Sequence, residues 1–373
     1  MKTLNEQIII KGLRVRNRLV LPPITTNYAT KDGRVTDEIL QFYTKRSQNV
    51  GLTIVEATAV NEAGRIVPNS LGLWNDEQIA GMKDLVESIH RQGSVAVIQL
   101  NHAGPRCSPD EHLFQGFSPS GVAFRSDVDP VVMDREDISR LVDDFTSAAI
   151  RASQAGFDGV EVHGAHLYLL SEFMSPATNR RTDEYGGEIE CRARLSVEIV
   201  KSIRKSLGET YPFFFRINVE ERIKDGLVFK ESVAAARMLK EAGVDVFDIS
   251  LVTYGGFKEA GGKTVLVGSS VLPKDKPSGD NVSLTAEFKE QVHCPVIAVG
   301  KFGAGPEAED AVKNRNIDLV ALGRQMICDP ESAGKMLDGN HKEIIPCDEC
   351  LACFASIGKK KPMLCKVNKN LPE

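Results

Sequence analysis

Eight short runs of β-branched and aliphatic residues recur along this chain, most of them parted by a longer stretch of mixed apolar and charged residues. They are Arg18–Ile24, Leu52–Ala59, Ser94–Asn101, Gly159–His163, Phe213–Asn218, Val246–Ser250, Val296–Val299 and Leu319–Leu322. Most positions within each run are apolar. A strand with one wet face alternates apolar and polar residues, whereas a strand covered on both faces does not. The runs therefore predict a parallel sheet buried under helices. The stretches between them supply those helices. Asp76 predicts the cap of a helix running to about Arg91 and closed by Gly93. Glu136–Ala155 carries Ile138, Leu141, Val142, Phe145, Ala148 and Ala149 at helical spacing and closes at Gly156. Glu190–Leu207, Lys230–Ala242, Thr285–Val292 and Pro306–Asn314 follow, with Gly208 and Gly243 closing two of them. Such alternation leaves a closed eight-stranded barrel or an open doubly wound sheet. The first strand-to-helix turn lacks the glycine fingerprint of the dinucleotide-binding open sheet, and the strand count favours an α/β fold of the TIM (β/α)8 barrel type.

A length of 373 residues suits one such barrel with a small extension. The expected division is a barrel over residues 1–340 and a cysteine-rich tail over 341–373. A net charge of -5 without long basic runs argues against a nucleic-acid partner. No apolar stretch approaches the roughly 18 residues that span a bilayer, and polar residues stand near the N-terminus where a signal peptide needs an apolar run. A soluble, cytoplasmic protein is expected. Gly104–Asp134 and Tyr254–Ser283 read as long irregular segments after strands, on the side where barrel enzymes carry their active-site loops.

In a barrel the chemistry sits at the carboxyl ends of the strands, and those ends can be read directly. The first ends Pro22-Pro23-Ile24-Thr25-Thr26, the second Glu56-Ala57-Thr58, the third Gln99-Leu100-Asn101-His102, and the fourth His163-Gly164-Ala165-His166-Leu167-Tyr168. The fifth contains Arg216 and Asn218, the sixth ends Asp248-Ile249-Ser250, the seventh at Gly300, and the eighth at Gly323-Arg324. Glycines after strands seven and eight let backbone N–H groups approach a phosphate, and Arg324 adds a charge-matched fork. A phosphorylated ligand or cofactor is implied. His163 and His166 could ligate a metal, although no third ligand is evident, or could donate hydrogen bonds to an anionic oxygen. Tyr168 adds a phenol that is protonated at neutral pH. Two polarising donors and an acid suit reduction of a double bond conjugated to a carbonyl. A phosphate-binding aldolase-type barrel would need a catalytic lysine at a strand end, and none stands there.

From about residue 5 to residue 340 the chain resembles the old yellow enzyme family of FMN-dependent ene-reductases. The matching motifs are Asn17–Pro23, Gly51–Ala59, Gly72–Asp76, Gln99–Gly104, His163–Leu169, Asn179–Gly187, Arg216 and Ala321–Arg324, in family order. The resemblance implies FMN across the barrel mouth, with its phosphate near Gly300, Gly323 and Arg324. It implies Thr25 at the flavin O4, Gln99 at the pyrimidine edge, Arg216 near N1 and O2, and Pro23 and Ala57 as walls. His163 and His166 would bind the carbonyl oxygen of an α,β-unsaturated substrate, and Tyr168 would protonate its Cα. The hydride would come from NADH or NADPH through flavin N5. Ile24 departs from a common Met, and Pro22 gives an unusual Pro-Pro, but neither removes a reacting group.

The chain has eight cysteines, and Cys347, Cys350, Cys353 and Cys365 crowd the end. Zinc sites usually show two separated C-x-x-C pairs. Three close cysteines and one remote one look more like [4Fe–4S] ligation, and the pattern resembles the dienoyl-CoA reductase and trimethylamine dehydrogenase branch of the family. The chain ends at Glu373, so a cluster here is expected to be served by another electron-transfer protein. A zinc site and reduced thiols stay open as alternatives, as does a homo-oligomer.

Overall fold

The computed structural model describes residues 2–107, 116–303 and 305–371. Eight parallel strands close into a barrel: β1 (Leu19–Leu21), β2 (Leu52–Ala59), β3 (Val95–Asn101), β4 (Gly159–Gly164), β5 (Phe213–Glu221), β6 (Val246–Val252), β7 (Val296–Val299) and β8 (Leu319–Ala321). They pair in sequence order, and β8 closes onto β1. The strands are coated on two faces for a simple reason. In β5, Phe214 joins an interior cluster with Val20, Leu52, Val97, Val246, Ile297 and Leu319, while Phe213 and Phe215 point outward into the layer beneath the helices. Burying each such ring contributes on the order of 1.5–3 kcal/mol. An N-terminal hairpin, Ile8–Ile10 against Leu13–Val15, plugs the amino end of the barrel with Ile10 and Val15.

The outer layer contains α1 (Asp37–Arg46), α2 (Ile79–Arg91), α3 (Arg135–Ala155), α4 (Arg194–Leu207), α5 (Phe229–Ala242), α6 (Val282–Val292) and α7 (Glu307–Asn314). Helix α1 was not legible in the hydrophobic spacing, because its buried face is Ile39, Phe42, Tyr43 and an arginine, Arg46. Before α2 the cap is Asn75 rather than Asp76. Asn75 and Gln78 form a reciprocal capping box over a 3₁₀ turn, and Asp76 pairs instead with Arg151 at 2.8 Å.

The segment expected to be irregular after β6 contains a regular hairpin, Tyr254–Ala260 against Lys263–Ser269. Gly261 and Gly262 turn it with φ of +56° and +76°, a two-residue connection that needs left-handed backbone at both positions. The other expected irregular segment, Gly104–Asp134, lies partly outside the described residues. Its described parts hold a 3₁₀ turn at Gly104–Arg106 and a two-residue pairing of Phe117–Ser118 with Val131–Val132.

The tail folds back onto the carboxyl end of the barrel. Met363 N–H donates to the Thr26 carbonyl at 2.9 Å, Tyr28 Oη donates to the Met363 carbonyl at 2.7 Å, and Asn368 Nδ2 donates to the Ile327 carbonyl at 3.0 Å. Among the described residues no helix is long and apolar enough to cross a membrane.

Candidate active site

A cavity of about 950 Å³ opens at the carboxyl ends of the strands. His163, His166, Tyr168, Pro23, Thr25, Ala57, Gln99, Arg216, Gly300, Gly323 and Arg324 all line it. The register explains how residues far apart in sequence meet. Gln99 on β3 pairs with Glu161 on β4, His163 on β4 pairs with Arg216 on β5, and Arg216 pairs with Asp248 on β6. Between Val55 and Thr58 the register of β2 against β3 shifts, and such irregularities re-aim side chains at barrel rims. Ala57 lies in that shift.

The two imidazoles are joined in series. Ala165 N–H donates to His163 Nδ1 at 3.2 Å, so the His163 proton resides on Nε2. That nitrogen lies 3.1 Å from His166 Nδ1, which must accept, and His166 Nε2–H then donates to Ser250 Oγ at 2.6 Å. Burial holds both imidazoles well below the usual histidine range, and the Arg216 charge pushes the same way. Both are neutral. Burial also raises the Tyr168 phenol, against the opposing charges of Arg106 and Arg216, so it carries its proton.

His166 and Leu167 take left-handed backbone, with φ of +63° and +57°. For non-glycine residues this costs on the order of 1 kcal/mol or more each. The surroundings impose it: His166 N–H donates to Asn218 Oδ1 at 3.2 Å, Leu167 N–H donates to Ser171 Oγ at 3.2 Å, and Arg106 Nη1 donates to the His166 carbonyl at 2.7 Å.

Below them lies a buried polar layer. Gln99 Nε2 donates to Glu161 Oε1 at 2.7 Å. Arg216 Nε lies 3.4 Å from Asp248 Oδ2, yet that Nε, both Asp248 oxygens and Glu161 Oε2 have no hydrogen-bond partner among the described residues. Burial pushes Asp248 up to about 6, with Arg216 opposing, and raises Glu161 well above the usual carboxylate range, helped by Asp248.

Comparison with known proteins gives this geometry a family. The model of the NADH:flavin oxidoreductase / NADH oxidase family matches residues 3–343. The chain belongs to that family. It is 37% identical over 338 residues to an NADPH dehydrogenase of Bacillus subtilis (strain 168), covering 89% of this chain and 94% of the relative. It is 36% identical over 366 residues to an NADH oxidase of Thermoanaerobacter brockii, covering 96% of this chain but only 54% of the relative. A solved 2-naphthoyl-CoA reductase in complex with 2-naphthoyl-CoA superposes with a TM-score of 0.91 at 26% identity, over 99% of this chain and 57% of that one. The chain thus spans about half the length of the latter two proteins and nearly all of the first.

Members of this family depend on FMN and NAD(P)H, and the residues present here fit FMN. Arg324 faces the cavity without an ion-pair or hydrogen-bond partner among the described residues, as a phosphate site requires. Gly300 also lines the cavity, and it must be glycine there because a Cβ would collide with Asn281 Oδ1. The unpartnered Arg216 Nε supplies a fixed donor and charge at the other end.

The four tail cysteines are less gathered than expected of metal ligands. Cys347 and Cys353 line the cavity, Cys365 is half-buried, and Cys350 is exposed. Glu349 and Leu351, on either side of Cys350, both take φ of +56°, and Glu349 is drawn into an ion pair with Lys301 at 2.8 Å. Among the described residues no group of three or more His, Cys, Asp or Glu side chains is arranged to hold a metal. All eight cysteines are free thiols.

Sequence reasoning missed Arg106, Arg125 and Cys107, which also line the cavity. They sit at or within the segment after β3 that read as irregular. It also gave Ser250 no role, although Ser250 Oγ terminates the imidazole chain.

Proposed function

We propose that this barrel reduces the activated C=C bond of an α,β-unsaturated carbonyl compound with electrons from NADH or NADPH. FMN, when bound, supplies the redox chemistry by accepting two electrons from the nicotinamide and passing them to the alkene. Arg324 and the backbone at Gly300 and Gly323 would hold its phosphate. Thr25, Gln99 and Arg216 would hold the ring, with Pro23 and Ala57 as walls.

The protein's own part follows from the protonation states. The substrate carbonyl oxygen takes the place of Ser250 Oγ as acceptor of His166 Nε2–H, while His163 fixes the tautomer from behind. A neutral donor polarises the carbonyl without surrendering its proton. Tyr168, protonated and on the same cavity wall, delivers a proton from Oη to Cα. The observation that carries this reading is the meeting of a neutral imidazole chain and a protonated phenol on one cavity with two partner-poor guanidiniums. The structural neighbour 2-naphthoyl-CoA reductase, whose ligand is a thioester conjugated to an aromatic ring, supports the same substrate chemistry.

A second reading, an FMN-bearing electron-transfer component that needs a separate reductase, is favoured by Cys347 and Cys353 opening onto the same cavity. It would assign the tail a [4Fe–4S] cluster, with zinc as the lesser alternative. Among the described residues the thiols as arranged do not form such a set. Residues 1–340 would then be the flavin barrel and 341–373 an accessory wall. Eight free thiols suit the reducing cytoplasm.

The deciding experiment is anaerobic. NADH or NADPH is added to FMN-loaded protein and the flavin absorbance followed, and then cyclohex-2-enone is added. Bleaching followed by recovery of the yellow form supports the ene-reductase. Absence of bleaching with either nucleotide favours the electron-transfer component.

A further inference from the structure

Six cationic side chains line the cavity: Arg106, Arg125, Arg216, Lys301, Arg324 and Lys360. Arg125 is paired with Asp127, Lys301 with Glu349, and Arg216 lies beside Asp248. Arg324 is taken up by the phosphate in the reading above. Arg106 remains. Its guanidinium makes no ion pair among the described residues, although its charge reaches the buried Glu172 carboxyl, which burial holds well above the usual carboxylate range. One N–H, on Nη1, donates to the His166 carbonyl at 2.7 Å. The rest of the fork is held at the cavity wall, with Cζ 5.5 Å from the Tyr168 ring centroid and 5.4 Å from that of Phe124. A guanidinium stacked between two rings, with its position set by a backbone carbonyl, has lost its rotamer freedom before any ligand arrives. A half-used, pre-oriented fork beside the reacting atoms matches a planar anion.

We propose that Arg106 is a subsite for a carboxylate on the substrate, so that the preferred compounds are unsaturated carbonyl acids whose carboxylate lies within reach of Tyr168. This rests on the ene-reduction reading above. The anion docks on the Tyr168 side of the cavity, so the same contact that recognises the acid brings the double bond against the phenol. Arg125, on the same wall and already neutralised by Asp127, would not compete for it.

The test compares 4-oxopent-2-enoate with its methyl ester on the FMN-loaded enzyme, in wild type, R106Q and R106K. Gln can keep a donor to the His166 carbonyl but carries no charge, and Lys keeps the charge without the fork. The ratio of kcat/KM for acid over ester is formed for each enzyme, which cancels the two probes' intrinsic reactivities. A charge-assisted contact predicts that R106Q lowers this ratio by about tenfold or more, with R106K between. Equal ratios in wild type and R106Q would overturn the proposal and leave Arg106 as a holder of His166. An R106Q defect confined to bleaching by the nicotinamide would also overturn it, by assigning the anion to the dinucleotide. Failure of wild type to reduce either probe, with bleaching intact, would remove the ene-reduction reading and this proposal together.

Discussion

Glu56 provides the sharpest quantitative test of how this barrel mouth is held. Its carboxylate is fully buried and accepts from Thr26 N–H at 2.9 Å and from Thr26 Oγ1 at 2.7 Å. It thereby ties the loop that carries Pro23 and Thr25 to β2. Burial pushes its pKa up from 4.5 to about 7, with the two Thr26 bonds opposing. The folded protein therefore keeps this proton at pH values where the unfolded chain has lost it. Between the two pKa values the native state binds more protons, so stability falls as pH rises. The contribution is intact below about 4.5, declines through the window, and is flat above about 7. A difference of 2.5 units at 1.36 kcal/mol each is about 3 kcal/mol, most of it lost between about pH 5 and pH 8. In E56Q nothing ionises at this position. Urea unfolding followed by far-ultraviolet circular dichroism at several pH values gives the slope for each protein. The difference between the slopes isolates Glu56, because every other titrating group is common to both. E56Q should lose on the order of 1 kcal/mol at pH 5, where one Thr26 bond is spoiled, and should overtake wild type by roughly 1–2 kcal/mol at pH 8. Parallel pH profiles would mean that folding does not shift the Glu56 pKa, and the burial argument would fail.

Y168F should slow reoxidation of the reduced enzyme by an enone by roughly 10²–10⁴-fold while leaving bleaching by NAD(P)H unchanged, as read by stopped-flow absorbance. H166A should lower the same reoxidation rate by about 10²-fold or more, because the carbonyl loses its only donor in the imidazole chain that faces Ser250. G300A should weaken FMN, since the new Cβ collides with Asn281 Oδ1 and displaces the backbone beside the phosphate. Fluorescence titration of the apoprotein should show an affinity lower by about tenfold, equivalent to one lost hydrogen bond to a charged group.

The barrel was legible because its strands are buried on both faces, and that condition writes itself into sequence as unbroken apolar runs. Helices with a broad apolar face, such as α3, were equally plain. Helix α1 was not, since an arginine in its buried face breaks the pattern, and that arginine is satisfied by the Phe42 carbonyl one turn back and by carbonyls distant in sequence, at Met326 and Ile327. The hairpin at Tyr254–Ser269 hid for a different reason. Most of its residues are exposed or half-exposed, so alternation is weak, and its one clear signal was the Gly261-Gly262 pair. The candidate site followed the same division. Residues at strand ends could be named because the fold fixes where strand ends point. Arg106 and Ser250 act through contacts that span 60 and 84 positions, to His166 in each case, and no spacing in the sequence announces them.

The electrostatics of the cavity explain why the acid should be a phenol. Arg216 sits one strand from His163 in register and depresses both imidazoles, and Arg106 adds to it. Burial is the larger cause of their neutrality, and the neighbouring cations add to it. A neutral imidazole bound at both nitrogens can share its N–H with a carbonyl yet has no proton to give away. The same cations lower the Tyr168 pKa too, but there they oppose burial instead of adding to it. They favour the phenolate and so hold back the rise that burial would otherwise impose. One set of charges thus keeps the extra proton off the histidines and makes the tyrosine a better acid. Exchanging Arg216 for a neutral side chain would undo both effects at once, leaving imidazoles easier to protonate and a phenol harder to ionise.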